Sequence, residues 1–173
     1  MCFRFAETHP TTPSNSEKTM DIKFKGLENR TTCEKIQLYL TRVEHLYRSI
    51  QPWLTEENLI VESHAVETTE KLGTYKIIQL SVKTPTGEWL ALVKPNGASV
   101  IGGEGLIEIE GLLAGKEYLL YLRQPHPQMD VSLYKGINQD GWYWIEDTRR
   151  NRAHQLDKSL LLDIITLVSD YEF

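Results

Sequence analysis

The sequence predicts an α+β fold: a central antiparallel sheet, a meander or a partly closed barrel, flanked by an N-terminal amphipathic helix and a C-terminal apolar helix. Three observations predict it. Apolar residues recur at helical spacing over residues 33–50. Short apolar segments separated by turn residues fill 59–146. A last aliphatic stretch, KSLLLDIITLVS, has helical length and a capping residue before it. The links between the middle segments are too short for the dozen-residue crossovers that parallel strands demand, so neighbours pair antiparallel.

In chain order, residues 7–19, ETHPTTPSNSEKT, are small, polar and rich in Pro, Ser and Thr. Such a stretch buries too little apolar surface to offset its ordering entropy. Residues 1–19 are therefore expected to be a disordered leader or extension, and 20–173 a single α+β domain, a size that supports one sizeable core.

The first helix is expected over 33–50. Thr31 and Glu34 have the Thr-x-x-Glu spacing of a capping box, which satisfies exposed N–H groups at a helix start. Cys33, Ile36, Tyr39, Leu40, Val43, Leu46, Tyr47 and Ile50 fall in an arc about 140° wide. Glu34, Lys35, Gln37, Thr41, Arg42, Glu44, His45, Arg48 and Ser49 occupy the opposite side, with Leu38 misplaced. Pro52 is expected to stop this helix.

From 59 to 146 the candidate strands are LIVESHAV, TYKIIQLSVK, EWLALVK, ASVI, LIEIE, EYLLYLR, DVSLY and WYWIE. The turns between them are EKLG, TPTG, PNG, GGEG, LLAGK and KGINQDG, which predicts six to eight strands. KIIQLSV and YLLYL are apolar on nearly both faces, so the sheet is expected to be covered on both sides or curled. The last helix is expected over 158–169, capped by Asp157. Its aliphatic residues cover an arc of about 220°, too wide for one exposed flank. It is therefore expected to lie between the sheet and either the first helix or another chain.

Composition excludes several function classes. The net charge of -5 lacks the basic surplus of a dedicated nucleic-acid binder. The two cysteines, Cys2 and Cys33, make neither a disulfide framework nor a zinc pattern, so a reducing cytoplasm is expected. Cys33 lies at a helix start, where a thiol pKa falls, but on the apolar arc, which favours a buried structural cysteine. No apolar run approaches the ~20 residues of a membrane span, and the start is no signal peptide. Asn29-Arg30-Thr31 matches a glycosylation acceptor that has no meaning without secretion.

Motifs for chemistry are scarce. The glycines of VIGGEGLIEIEG lack the Gly-Lys-Ser/Thr of a phosphate loop and read as a hairpin or bulge. The histidines are scattered without metal-ligand spacing, so no metal and no cofactor is expected. Glu108 and Glu110 alternate on one strand and share a face, as an acid–base pair needs and as a solvated face also provides. There is no Gly-x-Ser-x-Gly elbow.

The stretch GWYWIEDTRRNR sets Trp142 and Trp144 on one face of a strand, followed by Arg149, Arg150 and Arg152. Over 141–158, Arg149, Arg150, Arg152 and Lys158 face Glu146, Asp147 and Asp157, a surplus too small to funnel a polyanion. Trp and Arg are instead enriched at protein hot spots. The expectation is a non-enzymatic interaction or accessory module of a soluble intracellular assembly, with a protein partner or a homo-oligomer. It would contact its partner through Trp142, Trp144, Arg149, Arg150, Arg152, Leu161 and Ile165. The alternative is a small-molecule-binding or enzymatic barrel-like domain whose site converges from His64, Glu108, Glu110 and His126. A weaker alternative is nucleic-acid binding through the arginine loop.

Overall fold

The computed structural model describes residues 31–126, 132–146 and 151–173. The expected leader, the first residues of DVSLY, and Arg149 and Arg150 lie outside these. Among the described residues the chain forms two helices and a seven-stranded antiparallel sheet that does not close. No helix in them is long and apolar enough to cross a membrane.

Helix α1 spans Thr32–Glu56. It starts as its capping box directs: Thr31 Oγ1 accepts from the Glu34 N–H, and Glu34 Oε2 accepts from the Thr31 N–H. It does not stop at Pro52. The proline removes a helical N–H and crowds the preceding turn, at a cost of about 3 kcal/mol. One turn of helix continues because it buries Leu54 completely, worth about 1.5–3 kcal/mol, and leads Leu59 into the core. The end is set by Asn58, whose φ of 61° is left-handed, with the Leu59 N–H returning to the Leu54 carbonyl at 3.1 Å.

The strands follow in sequence: β1 (Ile60–Glu70), β2 (Gly73–Lys83), β3 (Trp89–Gly97), β4 (Leu106–Gly111), β5 (Lys116–Leu122), β6 (Gly141–Ile145) and β7 (Ala153–Gln155). Their order in the sheet is their order in the chain, and every pairing is antiparallel. Three local expectations are corrected. PNG is not a turn: β3 runs through it with a bulge between Pro95 and Gly97. Proline is tolerated there because the β2–β3 ladder ends at Leu80↔Val93, so the missing N–H costs no bond to β2. ASVI is the start of the β3–β4 loop rather than a strand, with one isolated bridge, Val100↔Gly103, and Gly102 at a φ of 82°. The described part of DVSLY is not a strand, whereas AHQ, too short to show a period, is β7.

Helix α2 spans Lys158–Ser169, with Asp157 Oδ1 accepting from the Leu160 N–H at 2.8 Å. It packs on β3, β4 and β5 and touches α1. Tyr39, Val43, Leu46, Tyr47, Ile50 and Leu54 of α1 share one core with Leu161, Ile164, Ile165 and Val168 of α2 and with Val82, Ala91, Val93, Ile107, Ile109 and Leu119 of the sheet. A second, small cluster lies on the other side of β5–β7, where Leu122, Tyr143 and Ala153 pack with Leu120, Tyr134, Ile137 and Ile145.

Three polar locks tie α1 to the sheet. The Tyr39 hydroxyl donates to the Leu106 carbonyl at 2.6 Å, and the Tyr47 hydroxyl to the Ile78 carbonyl at 2.8 Å. Burial pushes both phenols well above their usual range. The Arg42 guanidinium sits 3.9 Å over the Tyr121 ring and donates to the Glu104 carbonyl at 3.0 Å and to its carboxylate.

Candidate functional site

Since Ile107 and Ile109 enter the core, alternation along β4 sends Glu108 and Glu110 to the opposite face. There the register sets Lys94, Glu108 and Tyr118 side by side, and Leu92, Glu110 and Lys116 in the next row. The Glu108 side chain is only 7% exposed. It accepts from Lys116 Nζ at 2.8 Å and from Asn96 Nδ2 at 3.3 Å, while Lys116 also lies 3.7 Å from Glu110. The hydrogen bond to Glu108 raises the Lys116 pKa and keeps the amine charged. The shared face expected of this pair is therefore real, and a lysine fills it. A buried carboxylate held by a lysine and an amide is satisfied, and its direct effect is to fix the register of β3, β4 and β5.

His64 does not join this cluster. His64 lies on β1, separated from β4 by β2 and β3, each strand step adding about 4.8 Å. It is exposed and lies 3.7 Å from Glu62, whose carboxyl is held below its usual range chiefly by a hydrogen bond from Lys83. His126 lies beyond the end of β5, in the loop that follows. Of the four residues expected to converge, Glu108 and Glu110 share one face of β4, while His64 lies on β1 and His126 follows β5. Among the described residues no three His, Cys, Asp or Glu side chains converge as a metal site.

The expected partner surface is also redistributed. Trp142 is 7% exposed; its indole N–H donates to the Arg42 carbonyl at 3.3 Å and its ring meets Tyr121 edge-on at 5.4 Å. Trp144 is half-buried, donates to Glu117 Oε2 at 2.7 Å, and lies 6.0 Å from the His154 ring. Both indoles therefore brace the sheet. Leu161 and Ile165 are 0% exposed in the chain's own core, because α2 turns that side onto β3–β5. They are not contacts for another chain. Arg152 is exposed, and its carbonyl accepts from the Glu146 N–H at 3.2 Å. Glu146 pairs with His154 at 2.9 Å. Cys33 is half-buried and disulfide-bonded, which corrects the expectation of full burial and of cysteines that make no disulfide.

Apolar side chains are exposed in several places, Ile101 and Leu133 among them, and one group lies where the β4–β5 turn meets α2. Leu112 and Leu113, in the β4–β5 turn, are 59% and 60% exposed, and Leu167 on α2 is 58% exposed. The turn and the helix meet directly, the Leu113 N–H donating to the Val168 carbonyl at 3.2 Å. Phe173 and Tyr171 stack edge-on just beyond, at 5.0 Å. A sequence signal for this rim existed: two leucines stand in a turn, where polar residues are usual. A separate shallow groove of about 360 Å³ runs between β7 and α2, past His154, Asp157 and Asp163. Asp157 is already occupied as the helix cap there.

No protein-family model matches the chain, and no curated protein or solved structure matches it either.

Proposed function

We propose that the chain is a non-enzymatic interaction module that docks into a protein assembly. The observation that carries this reading is the rim of Leu112, Leu113 and Leu167, three leucines each more than half exposed and joined where α2 meets the β4–β5 turn. Exposed leucines gathered where two elements meet are what a protein partner covers, whereas scattered single leucines need no explanation. The test is native mass spectrometry of the protein isolated from its own cells, beside the double variant Leu113→Asp, Leu167→Asp. A stoichiometric partner that the variant loses, with its melting temperature unchanged, supports the reading. A wild-type chain that carries no other chain, or a variant that keeps it, removes it.

The cytoplasmic placement belongs to the same proposal, and the disulfide at Cys33 weighs against it, since reducing compartments break such bonds. Thiol trapping at cell lysis decides: an alkylated Cys33 keeps the placement, and a blocked one ends it.

A further inference from the structure

The two edges of the sheet are treated differently. At one edge β7 is three residues long, and the preceding loop bridges it through Lys135, whose N–H donates to the Asn151 carbonyl at 2.7 Å and whose carbonyl accepts from Ala153 at 2.8 Å. Short length and a covering segment are standard ways to blunt an edge. At the other edge β1 is eleven residues, IVESHAVETTE, with no proline, no lysine and no arginine. Its register with β2 runs unbroken from Ile60↔Lys83 to Glu70↔Gly73, so no bulge turns it away. Among the described residues no backbone hydrogen bond outside that ladder involves β1. A row of unpaired N–H and C=O groups this long accepts one kind of occupant, another extended strand.

We infer that the occupant is the β1 strand of a second copy, paired antiparallel about a two-fold axis at Ala65. In an isologous pairing of identical antiparallel strands, one residue must face its own copy. Centring on Ala65 is the register that overlaps all eleven residues. It sets Glu62 opposite Thr68, Glu67 opposite Ser63 and Glu70 opposite Ile60, so no glutamate faces another. Moving the centre to Val66 brings Glu62 opposite Glu70, a like-charge pair that is destabilising. Moving it to His64 sets the two histidines together and gives up two pairs. The smallest side chain of the strand stands on the axis, and it is exposed. The product is one continuous sheet of twice seven strands, with both helical layers on the same side. This surface is separate from the leucine rim, so the inference goes beyond the docking function.

The test uses the purified full chain. Its mass in solution is expected to be twice 20.0 kDa. Under oxidising conditions Ala65→Cys is expected to form a covalent dimer, because opposed Cβ atoms lie about 4.5–5.5 Å apart, close to disulfide reach. Ser63→Cys is not, since its two copies are offset by about 14 Å along the strands. Ala65→Asp sets two carboxylates on the axis and is expected to give the 20.0 kDa species with an unchanged melting temperature. A wild-type chain that stays at 20.0 kDa overturns the inference, even where a different protein binds the leucine rim. So does a dimer that cross-links equally at 63 and 65, or one that is lost in Leu113→Asp, Leu167→Asp but kept in Ala65→Asp.

Discussion

Gly111→Ala is the sharpest test of how α2 sits on the sheet. Gly111 ends β4 directly beneath the last turn of α2, and its φ lies outside the left-handed region, so alanine suits the backbone. The space does not suit it. A Cβ there would stand 2.5 Å from the Val168 carbonyl carbon and 2.7 Å from its Cγ2, and closer still to the carbonyl oxygen. Carbon atoms prefer about 3.5–4.0 Å, so the helix end must retreat by roughly 1 Å or more. It cannot retreat alone, because Leu161, Ile164, Ile165 and Val168 are all within 2% of complete burial. Overpacking a core costs typically about 1–3 kcal/mol. A clash with backbone, on a helix pinned by four core residues, belongs at the top of that range. For a chain of this size each 1 kcal/mol moves the melting temperature by about 2–4 °C, so a drop on the order of 10 °C is expected. Gly115→Ala serves as the graded control, since its nearest neighbour, Val168 Cα, lies at 3.3 Å and the loss should be smaller. Urea unfolding of the three proteins reads both values. A Gly111→Ala chain within about 0.5 kcal/mol of wild type would refute the placement of α2 over β4.

Other expectations follow from the same contacts. Tyr39→Phe removes the donor to the Leu106 carbonyl and the acceptor for the Gly97 N–H, and is expected to cost about 1–3 kcal/mol in urea unfolding; an unchanged midpoint would show that water replaces both bonds. Ile165→Ala, in a fully buried site, should lose about 2–5 kcal/mol, whereas Leu167→Ala, more than half exposed, should lose less than 1 kcal/mol; equal losses would mean that α2 is rotated. For Glu104, burial raises the carboxyl pKa, but hydrogen bonds from Arg42 and Arg123 outweigh it and hold the group below its usual range. A lowered folded value stabilises the fold fully above about pH 4.3 and ceases to do so as the pH falls through that lowered value. The stability gap between wild type and Glu104→Gln is therefore expected to be widest near neutrality and to close in acid; a gap constant down to pH 2 would refute the lock.

The residues that chemistry acts on within one or two turns were legible in the sequence. Thr31 and Glu34 announce the start of α1, Asp157 the start of α2, and short turn-rich links the antiparallel meander, because capping and turn geometry involve neighbours only. The shared face of Glu108 and Glu110 was legible for the same reason, since alternation is local. Tertiary structure decided the rest. That helix α1 continues past Pro52 depends on a buried site for Leu54, and that β3 continues through Pro95 depends on where its ladder with β2 ends. Trp142 reads as a surface aromatic until its N–H finds the carbonyl of Arg42, a hundred residues away in the chain. Leu161 and Leu167 belong to the same aliphatic run, and only the seat of α2 on β3–β5 makes one core and the other rim. Burial depends on surface supplied by residues distant in sequence, so a short stretch states what a residue prefers while the packed fold decides what it meets.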